Sequence, residues 1–228
     1  MIKKSLIIVI ACVIIISVSA GSFDSSSSVQ NTTLGSDSTG NVTKTVYSYK
    51  NAPNRKIAVI SGMHPREKVS LNVSEEAFRN YAQSSKVNIV NYNVEVNENI
   101  DYVFSGRKKG EELVANYIVP DIIKSNYDVV IICHDHKKGY GDGYYVAIPT
   151  MDTKSLTLAE KFRKISPEYK YYQRDPEKIT KSKSILRVDN PISESGTPLF
   201  VYEVPEWAGN DEAYDMTYKL IDTAYKYV

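Results

Sequence analysis

The sequence predicts an α/β sandwich with a mixed, mostly parallel sheet, on three observations. Short apolar runs that end in turn residues alternate with longer segments whose apolar residues recur at helical intervals. The run at 128–133 is apolar enough to sit centrally in a sheet covered on both faces. An apolar content of 42% over 228 residues suffices for one sizeable core.

The elements follow in order. At the N-terminus, Lys3 and Lys4 precede an unbroken apolar run at 6–16, and Val18-Ser19-Ala20 supplies small residues suited to signal-peptidase cleavage. The run is shorter than the roughly 18 apolar residues a bilayer span needs. Residues 1–20 therefore read as a signal peptide for secretion or the cell surface, with contact to membrane only if the segment stays uncleaved. Residues 21–43 are rich in Ser, Thr, Asn, Gly and Asp, and read as a disordered spacer with almost nothing to bury. Residues 44–228 are then the folded domain. Its first strand is 57–60, Ile-Ala-Val-Ile, ending at Ser61-Gly62. A helix follows at 68–82, with Val69, Val73, Ala77 and Tyr81 on one face, and an alternating strand at 87–96. A second helix is expected at 111–123, with a kink or stop at Pro120. After the central strand at 128–133 come a strand at 144–148, a helix at 155–165, a strand at 199–204 and a closing helix at 211–227. Between Pro167 and Pro198 the pattern is weak, as in loop-rich cover over one end of a sheet.

Charge and cysteine content exclude several classes. A net charge of +1, without a basic stripe on any predicted helix, argues against a nucleic-acid partner. Of the two cysteines, Cys12 lies in the signal, which leaves Cys133 unpaired and excludes a disulfide framework in the mature chain. Cys133 ends the run Val129-Val130-Ile131-Ile132-Cys133 and reads as a buried strand thiol. The 18 tyrosines read as amphipathic packing residues, some of which could line a substrate groove.

The chemistry-bearing residues cluster where strands end. The chain has three histidines. His64 follows the first domain strand and a Ser61-Gly62-Met63 turn, and Glu67 comes three residues later in His64-Pro65-Arg66-Glu67. On the first turn of a helix, where Pro65 is tolerated, that spacing puts imidazole and carboxylate on one side, a donor pair that suits Zn²⁺. The second cluster, Cys133-His134-Asp135-His136, follows directly on the most buried strand. A third ligand from it completes a two-His, one-carboxylate set, with a fourth place open for water as a catalytic zinc site requires. The competing reading is surface histidines beside Lys137 and Lys138. Glu203, within the strand around Phe200-Val201-Tyr202, either faces outward or sits at an active-site rim as a proton acceptor and donor.

The order strand–Gly62-Met63-His64-Pro65-Arg66-Glu67, then strand–His134, then strand–Tyr202-Glu203 resembles the zinc carboxypeptidase superfamily, closest to its succinylglutamate desuccinylase/aspartoacylase-like branch. The resemblance runs from about Ile57 to Val204 and rests on a handful of positions. It implies a three-layer sandwich in compact form. It also implies that His64, Glu67 and His134, rather than His136, bind Zn²⁺, and that Glu203 is the catalytic glutamate. Arg107 falls between the metal clusters in the order where the family places a substrate-binding arginine. There it would grip a substrate carboxylate or stabilise an oxyanion, the alternative being a solvated loop residue beside Lys108 and Lys109. The family's usual neighbouring Asn is replaced by Gly106. The function implied is an exported metallopeptidase or amidohydrolase acting on a peptide or related amide substrate, cell-wall peptides included. The rivals are an N-acyl amino acid deacylase of the same fold and a non-catalytic cell-surface binding module.

Overall fold

A computed structural model describes residues 27–97, 103–175, 177 and 181–228 of the chain. The expected signal peptide at 1–20 lies outside the described residues. Strands β1 (Ser27–Asp37) and β2 (Gly40–Tyr49) open the fold as an antiparallel hairpin, followed by β3 (Ile57–Ser61), α1 (Lys68–Ser85) and β4 (Ile89–Val96). Next come α2 (Val103–Leu113), α3 (Val119–Lys124), β5 (Val129–His136), β6 (Tyr145–Ile148) and α4 (Thr153–Ile165). The chain finishes with β7 (Lys170–Gln173), α5 (Asn190–Glu194), β8 (Leu199–Pro205) and α6 (Asn210–Tyr227).

The eight strands among the described residues join one mixed sheet in the order β1-β2-β4-β3-β5-β8-β6-β7. Its centre, β4-β3-β5-β8, is parallel, and antiparallel pairs flank it on both sides. Parallel strands must be covered on both faces, which explains why β3 and β5 are buried along their whole length. Alternation along each strand sorts the side chains into two cores. Ile57, Val59, Val129, Ile131 and Cys133 pack with α1, α4 and α6 through Val73, Phe78, Phe162, Leu220 and Ile221. Ala58, Ile60, Val130, Ile132, Leu199 and Val201 face the other way, against Leu113, Ile118, Ile122, Val188 and Ile192. The molecule is thus a three-layer sandwich, and each fully buried aliphatic side chain in it contributes about 1.5–3 kcal/mol. Among the described residues, no helix is long and apolar enough to cross a membrane.

Three expectations need correction. The disordered spacer expected at 21–43 is, from Ser27 onward, the β1–β2 hairpin. Polar as it is, β2 buries Val42 and Tyr47 and pairs with β4 over Gly40–Val96 to Tyr47–Ile89, so the folded domain begins well before residue 44. Pro120 does not stop the second helix, which runs on through α3 to Lys124. A π-helical turn at Val114–Ile118, with Val119 N–H donating to the Val114 carbonyl, widens the helix just before the proline. The wider turn relieves the clash between the proline ring and the carbonyl four residues back. The same device recurs at Ile185–Asp189 ahead of Pro191, inside the stretch expected to be mostly loop, which also contains β7 and α5.

Candidate functional site

The parallel centre of the sheet brings the carboxyl ends of β3, β5 and β8 side by side, the place where open α/β sheets collect ligands. Beyond β3 the chain turns through Gly62 in the left-handed region, φ +78°, where an added Cβ would overlap the Val94 carbonyl oxygen. His64 and Glu67 then close a tight turn, with Glu67 N–H donating to the His64 carbonyl at 3.0 Å. Helix α1 begins at Lys68, so the two side chains share a turn that precedes the helix rather than its first turn.

On β5, His134 and His136 fall on the face covered by α2, and on β8 Glu203 is the register partner of His134. Strand β5 continues through His136, so the two histidines do share a face. Their contacts separate them: His136 Nε2 lies 2.8 Å from the Gly143 carbonyl, whereas His134 Nδ1 lies 2.6 Å from Glu67 Oε2. His64 Nδ1 is 2.8 Å from the other oxygen, Glu67 Oε1, and the two imidazoles stack with centroids 4.3 Å apart. One ligand atom from each of His64, Glu67 and His134 falls within 4.8 Å of the others. Two imidazole nitrogens and one carboxylate oxygen converging from buried or half-buried positions are a donor set that could hold a divalent metal ion and suits Zn²⁺.

The surrounding groups fix this geometry. Asp135, on the opposite face of β5, accepts from Val69 N–H at 2.8 Å and Ser70 N–H at 2.7 Å, and so caps α1 from a neighbouring strand. Its own N–H donates to Glu67 Oε2 at 3.2 Å, tying the carboxylate to the β5 tip. Arg107 lies on α2 rather than in a loop, half-exposed, with Nη1 donating to Glu67 Oε1 at 3.2 Å. Cys133 is buried and its thiol is pushed up to about 12, chiefly by burial, which fits a packing role.

Charge is strongly perturbed here. Burial opposes the charge of Glu67, but the adjoining His134 and His64 outweigh it and hold the carboxyl well below the usual range. Burial likewise opposes a charged His134, yet Glu67 raises it to about 9. Glu203 is raised to about 7, mainly by burial, with His134 pulling against it and Glu67 adding to it.

His64, Glu67, Arg107, His134 and Glu203 all line one cleft of about 600 Å³, which is also walled by Tyr145 and Asp189. Three further groups at this site belong to none of the sequence motifs. Tyr145 pairs in register with Glu203 from the other side, Asp189 sits on the second π-helical turn, and Glu111 on α2 approaches His64. A tyrosine in a strand and acids in helical segments carry no sequence signal of their own.

No protein-family model matches the chain, and no curated protein matches it. Solved structures do. A candidate metallopeptidase from Shewanella baltica OS155 superposes with a TM-score of 0.53 at 11% identity, over 88% of this chain and 87% of that one. A candidate carboxypeptidase A from Shewanella denitrificans OS-217 gives 0.54 at 15%, over 86% and 65%. A succinylglutamate desuccinylase from Silicibacter sp. TM1040 gives 0.50 at 12%, over 89% and 68%. At such identities the likeness is one of fold alone: this chain carries the α/β sandwich that these three structures share.

Proposed function

We propose that the chain is an exported zinc-dependent hydrolase of peptide or related amide bonds. The observation that carries this reading is the convergence of His64, Glu67 and His134 beside Glu203 in one cleft. A zinc ion held by those three residues supplies Lewis acidity toward a scissile carbonyl and lowers the pKa of water toward roughly 7. Glu203, next to His134 across the β5–β8 ladder, takes the proton of the attacking water on its carboxylate and passes it to the leaving nitrogen. As a base Glu203 must be ionised, the state that the neighbouring His134 favours. Arg107, which lines the cleft, orients the substrate's anionic end with guanidinium N–H groups other than the one on Glu67. Export rests on residues 1–20, and extracytoplasmic work suits peptide substrates such as those of a cell wall.

A second reading, deacylation of N-acylated amino acids, is favoured by the fold likeness to a succinylglutamate desuccinylase. Both reactions break an amide bond with the same residues, so they are separated by substrate alone. The test is a screen of peptides and N-acyl amino acids with and without a chelator, repeated on Glu203→Gln. Hydrolysis that falls by ~10²–10⁴-fold in Glu203→Gln, with zinc content unchanged, supports the assignment. Undiminished hydrolysis in that variant, or in chelated protein, contradicts it. Zinc uptake without turnover of any amide would leave a binding module.

A further inference from the structure

We propose that Glu111 is a positioning residue for His64: it accepts the Nε2 hydrogen of that imidazole and so commits Nδ1 to the metal. The inference rests on the reading of His64 as a ligand. Three observations lead to it. His64 is 3% exposed and its Nε2 is buried with no hydrogen-bond partner among the described residues, although Nδ1 is engaged by Glu67. Glu111 Oε1 faces that nitrogen at 3.6 Å, a small side-chain rotation from hydrogen-bond distance. Finally, Glu111 is itself 8% exposed, and a carboxylate so buried is costly unless a donor meets it.

The approach is built into the backbone. Gly110 packs α2 onto the turn that carries His64 so closely that a Cβ there would overlap the Met63 carbonyl oxygen. That contact brings residue 111 to the Nε2 side of the imidazole. Its neighbour Glu112 points elsewhere, to Arg187 at 3.4 Å and Lys108 at 3.8 Å on the surface. With a carboxylate behind it, a neutral imidazole is held in the tautomer that carries its hydrogen on Nε2, and its Nδ1 becomes a better donor.

The test measures zinc affinity of the full chain by chelator competition, together with the thermal stability of the metal-free protein. Glu111→Leu removes the acceptor and should weaken zinc binding by ~10–100-fold. Glu111→Gln keeps an acceptor oxygen but loses the charge, and should weaken binding by less, about 3–10-fold on the same scale. In the zinc-loaded wild type, nitrogen NMR should find His64 protonated on Nε2, with that hydrogen protected from exchange, and the protection should vanish in Glu111→Leu. A merely structural Glu111 would shift thermal stability and leave affinity and tautomer alone. Wild-type affinity in folded Glu111→Leu overturns the proposal. So does unchanged affinity in Glu111→Gln, which decides the matter if the leucine variant does not fold. A wild type that takes up no zinc overturns the metal reading as well, and is distinguishable because the unmodified protein itself fails.

Discussion

The Nδ1 nitrogen of His134 lies 2.6 Å from Glu67 Oε2, although 67 residues of chain separate them. What joins them is the parallel pairing of β3 with β5. Both strands run the same way, so the turn after β3 and the tip of β5 emerge at one edge. Asp135 fastens the arrangement by holding α1 with its side chain and Glu67 with its backbone. A site assembled this way depends on the central strands rather than on mobile loops.

Asp135→Ala should therefore destabilise the protein. It strips the Val69 and Ser70 N–H groups of their acceptor near a buried helix start. Two charge-assisted hydrogen bonds lost at a buried position should cost about 2–3 kcal/mol, read by urea denaturation. A loss below about 0.5 kcal/mol, the range of ordinary surface substitutions, would contradict the capping role.

Asp189 should make stability depend on pH. Burial raises its carboxyl to about 6, with His134 pulling the other way and Glu111 adding to the rise. Because the folded-state value lies above that of the unfolded chain, stability is fully present below pH about 4 and is lost as pH rises through about 6. At most about 3 kcal/mol is lost on that basis. In metal-free protein, Asp189→Asn should thus be more stable than the wild type at pH 8 and indistinguishable from it at pH 4, by denaturant titration at each pH. A variant with no advantage at pH 8 would refute the assignment.

Lys86 closes α1 in the left-handed conformation, φ 53°, exposed and with its N–H on the Ala82 carbonyl. A residue with a Cβ pays strain there that glycine does not. Lys86→Gly should raise the unfolding free energy by ~0.5–1 kcal/mol. A decrease would mean that the lysine side chain makes a contact worth more than the strain.

Much of this was legible in the sequence. The strands that build the centre of the sheet announced themselves as apolar runs, because a parallel strand buried on both faces has few alternatives in composition. That His64, Glu67 and a histidine of the 134–136 cluster lie near one sheet edge was legible because they follow such runs. The choice of His134 over His136 came only from the family resemblance, and the register of β5 with β8 sets Glu203 beside His134. The β1–β2 hairpin was not legible. Its first strand, β1, is mostly Ser, Thr, Asn and other polar residues, and only the pairing of β2 with the distant β4, and of β1 with β2, makes strands of them. Glu111 and Asp189 were hidden for a related reason. A carboxylate in a helical segment is ordinarily solvated, and only the Gly110 contact and the π-helical turn at Ile185–Asp189 place these two where they sit.

The most direct measurement is elemental analysis of the purified protein, after zinc loading and removal of excess metal. One zinc per chain is expected in the wild type. His64→Ala and His134→Ala should each lose affinity by more than the ~100-fold typical of changes behind the ligands. A wild type that retains no zinc, or alanine variants that hold it as tightly as the wild type, would show that these side chains do not share an ion.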